Sequence, residues 1–177
     1  AVPDGPDEHL DKLRWTLLGA IATARRRVGI VTPYFLPDSG LQSALSVAAL
    51  RGVQVDIVLP QKNNLRFVHW AQIAELWSLL ERGCRIWLGP PPFDHTKLMV
   101  VDDHWSCIGS ANWDPRSLRL NFELNVEGYD RTLARALTER LDERIGRATR
   151  YTTEAHRARP LPVELRDGLA RLFTPYL

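Results

Sequence analysis

The residues best able to do chemistry together lie in one short stretch: His95, Lys97, Asp102, Ser110 and Asn112. They offer an imidazole, an ammonium, a carboxylate, a hydroxyl and an amide. His95 and Lys97 are two apart, so on a strand they project from one face, and Ser110 and Asn112 obey the same rule. With Asp103-His104 as a two-residue turn, Asp102 faces Trp105, Lys97 faces Ser110 and His95 faces Asn112. The four polar side chains other than Asp102 would then form one patch. Lysine, serine and asparagine donate well to phosphate oxygens. Histidine attacks or moves a proton near neutral pH. The set points to metal-free phosphoryl chemistry at a diester, with histidine as nucleophile or acid. There is no carboxylate cluster and no Cys/His ligand spacing, so neither metal nor cofactor is expected. Glu123, on the polar face of a later strand, is placed to fix a histidine tautomer.

The elements that must carry these groups follow from the hydrophobic pattern. Pro6-Asp7-Glu8 reads as a helix start, followed by Leu10, Leu13, Leu17, Leu18 and Ile21 at helical spacing and an end near Arg25–Arg27. Val28–Val31 is a short β-branched run. Helices over Ser39–Leu50 and around Ile73–Leu80, ending at Gly52 and Gly83, alternate with strands over Val53–Leu59 and Cys84–Leu88. Leu98–Val101 and Trp105–Ile108 form a hairpin. Residues 121–127 alternate polar and apolar, as a strand does. Leu133, Leu137, Leu141 and Ile145 mark a long helix, and Leu165, Leu169, Leu172 and Phe173 a short final one that reads as core. This is an α/β pattern: a mixed, mostly parallel sheet with helices on both faces, an α/β/α sandwich. At 177 residues the chain is one domain, with 150–177 as a helical tail.

Composition narrows the partners. There are 23 basic and 21 acidic residues, a net charge of +2, so no large uniform field draws the chain to nucleic acid. Cys84 and Cys107 sit in apolar runs and read as buried, inert thiols. Most of the six tryptophans are expected in the core, with one or two at an acyl-chain entrance. Arg25-Arg26-Arg27 completes a helix end and offers charge to anionic headgroups. No run reaches the ~18 apolar residues of a membrane span, and no signal-peptide pattern is visible.

His95-Thr96-Lys97 through Asp102, followed by Gly109-Ser110, is the His-x-Lys-x4-Asp-x6-Gly-Ser signature of the phospholipase D superfamily. Chance would supply it in roughly one chain of this length in 10,000. Thr32–Asp38, Gly109–Glu123 and the tail from Leu161-Pro162 to Pro175-Tyr176-Leu177 resemble the C-terminal half of a bacterial cardiolipin synthase. The resemblance implies a phospholipase D-like domain in which two such motifs share one site. One histidine forms a covalent phosphohistidine; the other protonates the leaving alcohol and activates the incoming one. His95 is assigned first to the acid/base role. Lys97 and Asn112 would bind phosphoryl oxygens, Ser110 would add a hydrogen bond, and Glu123 would hold a histidine of the other half. Asp102 belongs to the motif, but its strand parity suits bracing the turn. Asp94, where relatives often carry an apolar residue, would raise the basicity of His95 or solvate a loop.

The implied reaction is phosphatidyl transfer between two phosphatidylglycerol molecules, giving cardiolipin. The implied partners are the phospholipid, an N-terminal half or a second copy of the chain, and a membrane surface, at the cytoplasmic face of a bacterial inner membrane. A homodimeric phosphodiesterase or nuclease and an inert half-enzyme scaffold are the alternatives.

Overall fold

The computed structural model describes residues 1–6 and 11–174. The expected helix start at Asp7-Glu8, Leu10 and the Pro175–Leu177 ending lie outside the described residues. The elements run β1 (Val2–Asp4), α1 (Lys12–Thr23), β2 (Arg27–Val31), α2 (Ser39–Leu50), β3 (Gln54–Pro60), α3 (Arg66–Glu81), β4 (Arg85–Gly89), β5 (Leu98–Val101), β6 (Trp105–Gly109), α4 (Pro115–Arg119), β7 (Glu123–Gly128), α5 (Arg131–Arg147), β8 (Thr149–Tyr151), α6 (Thr153–Arg157) and α7 (Leu161–Arg171). One eight-stranded sheet holds them in the order β1-β7-β6-β5-β2-β3-β4-β8.

The α/β class and the helices on both faces are as expected, but the parallel part is smaller. Only β2–β3 and β3–β4 pair in parallel; the other five ladders are antiparallel. Parallel pairing of neighbours needs a helical crossover, which α2 and α3 supply. From β5 onward neighbouring strands pair antiparallel, and α5 carries the chain across the sheet from β7 to β8.

Local chemistry explains the sharpest boundaries. Asp38 caps α2, its Oδ1 accepting from the Gly40 and Leu41 amides at 2.7 and 3.0 Å. Gly52, at φ 89°, ends the same helix in a conformation that favours glycine.

The core has two layers. On one face α1, α2 and α3 bury Leu17, Ile21, Leu41, Leu45, Leu76 and Leu79 against Val28, Ile30, Ile57, Ile86 and Met99. On the other, α5 alone sets Leu137, Leu141 and Ile145 on Val31, Val58, Leu98 and Val100. Gly29 is required here, because a Cβ would lie 2.1 Å from Leu141 Cδ2. One helix cannot cover the whole face, so Ile108, Leu124 and Val126 stand exposed on β6 and β7. The alternation in β7 is therefore inverted: Asn125 is buried while Leu124 and Val126 are bare.

Asp56 is fully buried under the sheet. It accepts from Arg27 Nε (3.0 Å), Arg85 Nε and Nη2 (both 2.7 Å), Trp87 Nε1 (2.9 Å) and Gln54 Nε2 (2.8 Å). Burial pushes its carboxyl up, but these donors outweigh burial and hold it below the ordinary value. Arg27 also reaches Asp142 of α5 at 2.6 Å, so it is a structural cation.

The tryptophans divide differently from expectation. Trp105 and Trp113 are core, Trp15 is exposed, and Trp70, Trp77 and Trp87 are half-buried beneath arginines. Cys84 and Cys107 are buried free thiols, each pushed up to about 12 by burial. The final helix also departs from its reading as core. Asp167 and Ala170 are its buried residues, while Leu161, Leu165 and Leu169 are more than 60% exposed.

Candidate active site

β5 runs antiparallel to β2 with Leu98 opposite Val31, which sets residues 95–97 above the C-terminal end of the parallel strands. That end is where open α/β sheets bind ligands, because helix starts and loops converge there. Gly89–Pro92, containing a cis Pro91-Pro92 bond, brings the chain over to it.

His95 is exposed, and Lys97 beneath it is only 9% exposed. Lys97 Nζ lies 2.9 Å from His95 Nδ1 and donates to the His95 carbonyl at 2.8 Å. Burial pushes the Lys97 ammonium below its ordinary value, against the pull of Glu123, Asp114 and Asp94. Tyr34 meets the imidazole edge-on at 6.3 Å between centroids, and Phe93 lies at 5.8 Å. The Tyr34 hydroxyl donates to Asn64 Oδ1 at 2.8 Å, fixing that ring.

Asp94 braces the loop on the other side. Its carboxylate accepts from the Thr96 amide at 2.8 Å and from Arg144 Nε at 2.7 Å, and Arg144 Nη2 donates to Thr96 Oγ1 at 3.1 Å. Burial raises its carboxyl, but these partners prevail and hold it low.

The hairpin register differs from expectation by one residue. Val101 pairs with Trp105 and Leu98 with Ile108, and the Gly109 amide donates to the Lys97 carbonyl at 3.3 Å. Lys97 therefore faces Gly109, and Ser110 is not its partner. The turn holds three residues, 102–104, because Asp102 and Asp103 both adopt positive φ (52° and 56°). Asp102 accepts from the backbone amides of Arg25 (2.8 Å), Arg26 (2.7 Å) and Arg27 (2.8 Å). Burial raises its carboxyl; the amides outweigh that and hold it low. Asp102 thus ties the hairpin to the α1–β2 connection at the far end of β5, away from the imidazole.

Ser110 is also committed elsewhere. Its hydroxyl donates to Glu123 Oε2 in a short bond and accepts from the Leu124 amide at 3.0 Å. Asn121 Nδ2 donates to Glu123 Oε1 at 3.2 Å. Ser110 holds Glu123, and Glu123 lies close enough to act electrostatically on Lys97.

Asn112 arrives beside Lys97 through main-chain ties between its segment and Tyr34–Leu36. Leu36 N donates to Trp113 O (2.6 Å) and Trp113 N to Tyr34 O (3.2 Å). Its Nδ2 donates to Ser117 Oγ at 3.1 Å, and its Oδ1 is buried without a partner. Asp114, the buried cap of α4, is pushed up by burial.

One residue was missed by sequence reasoning. Asn125 is buried at 3% exposure with its Nδ2 unpartnered. Its Oδ1 would lie 2.0 Å from a Cβ at position 109, so the motif glycine makes room for this amide. A pocket of about 20 Å³ has Lys97, Gly109, Asn112 and Asn125 in its wall, room for about one water or phosphoryl oxygen. The available signal was parity: Asn125 shares a strand face with Glu123.

Two larger clefts flank this centre. One of about 700 Å³ is walled by Gly89–Phe93, His95 and the α5 arginines Arg140, Arg144 and Arg147. Another of about 640 Å³ runs from Tyr34 and Asn112 to Leu65, Arg66 and Phe67. Gly89–Pro92 thus walls the first of these clefts.

The fold is that of phospholipase D family structures. A family member, Nuc of Salmonella typhimurium, superposes with a TM-score of 0.71 at 23% identity over 85% of this chain and 99% of Nuc. Phosphatidylserine synthase of Haemophilus influenzae gives 0.75 at 19% identity, over 99% of this chain and 47% of that one. The chain belongs to the cardiolipin synthase, PLD-like domain family, whose pattern matches residues 17–145. It is 37% identical over 176 residues to the major cardiolipin synthase of Bacillus subtilis, covering 99% of this chain and 36% of that protein. Cardiolipin synthase 2 of Staphylococcus epidermidis is 36% identical over 173 residues. The chain spans a little over a third of the length of these curated relatives.

Proposed function

We propose that this domain is the C-terminal half of a two-motif phosphatidyltransferase that makes cardiolipin from phosphatidylglycerol. The observation that carries the reading is the convergence of His95 and Lys97, Nδ1 to Nζ 2.9 Å, beside Asn112 at the mouth of two clefts. Lys97 and Asn112 hold the phosphoryl oxygens and meet the negative charge that grows on them. The second histidine, from the partner half, attacks phosphorus. An N–P bond forms, the P–O bond to glycerol breaks, and His95 delivers the proton to the leaving oxygen. His95 then takes the proton from the hydroxyl of a second phosphatidylglycerol as that oxygen attacks phosphorus. The N–P bond breaks and cardiolipin leaves. Ser110 and Asn121 hold Glu123, which orients the partner's imidazole.

The bare apolar face of β6 and β7, on the other side of the sheet from Asn125, offers a surface on which a partner half can pack. Ile108, Leu124 and Val126 are exposed there, with Phe122 just before β7 at 77%. That partner is the N-terminal half of the same protein; a second copy of this chain is the other occupant of equal chemistry. Among the described residues no helix is long and apolar enough to cross a membrane. In this reading the domain meets the lipid at the membrane surface.

The test is a lipid assay of the full-length protein with phosphatidylglycerol, alone and with phosphatidylethanolamine. Cardiolipin and free glycerol are expected, and His95→Asn is expected to abolish both without lowering Tm. Transfer by His95→Asn within tenfold of wild type would overturn the assignment. Chelator is expected to leave turnover unchanged. A homodimer whose two His95 rings lie within about 6 Å would favour the self-paired arrangement.

A further inference from the structure

The apolar stripe of α7 has no cover. Leu161, Leu165, Leu169 and Leu172, at spacings of four, four and three, are 66%, 61%, 62% and 71% exposed, and Phe173 is 52% exposed. The opposite side of the helix packs on α3 through Ala170, with Ala71, Val68 and Trp70 around it. So α7 is fixed to the domain by one side and presents an apolar ridge with the other.

The ridge is continuous with a route to the phosphoryl site. Phe173 meets the Phe67 ring edge-on at 5.7 Å. Phe67 and Leu65, themselves 40% and 50% exposed, wall the 640 Å³ cleft that ends at Tyr34 and Asn112. Arg66 and Arg116 stand in the same wall, and neither makes an ion pair among the described residues. Near the ridge, Arg157, Arg166 and Arg171 keep 66%, 43% and 56% of their side-chain surface exposed while paired with Glu81, Asp167 and Glu75, and Arg159 is mostly buried on Asp167. Arg166 lies flat over Trp70, 4.4 Å from the ring centroid, at the side of the ridge.

We propose that the α7 ridge, with Leu65 and Phe67, lies in the surface of an anionic bilayer and that a lipid chain passes from it along the cleft to His95. This rests on the phosphatidyltransferase reading and names the surface by which that enzyme meets its substrate. A helix with an apolar stripe and arginines beside it suits the headgroup–acyl boundary. A protein seated on the ridge would close the cleft mouth, whereas a bilayer both covers the ridge and supplies what the cleft must admit.

The experiment uses the full-length protein and its Leu165→Ser/Leu169→Ser variant. Both are tested for sedimentation with phosphatidylglycerol vesicles and for turnover on vesicles and on a short-chain, monomeric phosphatidylglycerol. Each leucine withdrawn from hydrocarbon weakens partitioning by about tenfold, so about a hundredfold loss of vesicle affinity is expected, with turnover on vesicles falling alongside. Turnover on the monomeric lipid should stay within about threefold, which also shows that the variant is folded. A wild-type vesicle affinity in the variant overturns the proposal, as does loss of a protein partner with vesicle binding unchanged. A second measurement needs no loss of fold: Leu169→Trp fluorescence should be quenched by vesicles of brominated lipid, and unquenched emission refutes insertion. Absence of transfer by wild type on either lipid, with vesicle binding intact, would strike the enzymatic reading and leave the bilayer surface standing.

Discussion

The most discriminating substitution is at Asp102, the acid of the signature. The carboxylate accepts three backbone amides at 2.7–2.8 Å and sits at φ 52°. In Asp102→Asn, Oδ1 keeps Arg26 and Arg27, but an NH2 now opposes the Arg25 amide and the charge is gone. Hydrogen bonds to charged groups contribute about 1.5–3 kcal/mol each. Two of these three bonds are at exposed positions, so the low end applies and the loss is about 2 kcal/mol. Asp102→Ala loses all three, about 4.5 kcal/mol, and adds about 1 kcal/mol for a left-handed alanine, about 5.5 kcal/mol together. For a domain of this size Tm should fall by about 4–8 °C and about 11–22 °C respectively. Turnover per folded molecule, measured in the full-length protein well below Tm, should stay within about threefold. The sign with pH is fixed by the lowered carboxyl. Its contribution is fully present above the ordinary value of 3.8 and is lost as pH falls through the lower folded value, so the Tm gap to Asp102→Asn closes in acid. Asp102→Asn with unchanged Tm and a hundredfold loss of kcat would refute the structural assignment.

Other substitutions separate the remaining roles. Asn125→Ala removes the unpartnered amide in the oxygen-sized pocket; kcat should fall about tenfold to a hundredfold with little change in Tm. Asp56→Asn unpairs Arg85 and leaves Arg27 with Asp142 alone, and should cost about 3 kcal/mol, the low end for a broken buried pair because both arginines keep some water; denaturant titration checks it, with transfer chemistry unaffected. Val126→Asp on the bare β7 face should cut full-length turnover more than tenfold, while Leu50→Asp, on an equally exposed part of α2, should not. Equal effects of the two would deny that the β7 face is an interface.

Much of the architecture was readable because it is written locally. Asp38 and Gly52 bracket α2, and the parallel strands are short apolar runs. His95 and Lys97 meet, as a spacing of two on one face suggests, and Lys97 and Asn112 line one small pocket. What stayed hidden depends on geometry that residue types do not encode. Turn length hinged on two consecutive aspartates at positive φ, and one residue of slip moved Ser110 away from Lys97. The alternation in β7 was plain, but which side faces inward depends on how far α5 reaches. The leucines of α7 have the same spacing whether helix or solvent lies beyond them. Asn125 had no signal beyond parity, since its importance comes from the close approach at Gly109.

The two borders of the sheet are β1 and β8, each only three residues long. β8, confined between α5 and α6, offers too few free backbone groups to seed another strand. In the proposed two-half enzyme, the exposed side chains of Ile108, Leu124 and Val126 offer a contact that does not lengthen the sheet. Specificity between the halves then resides in side-chain shape, and strand-mimicking peptides should be poor inhibitors of their union.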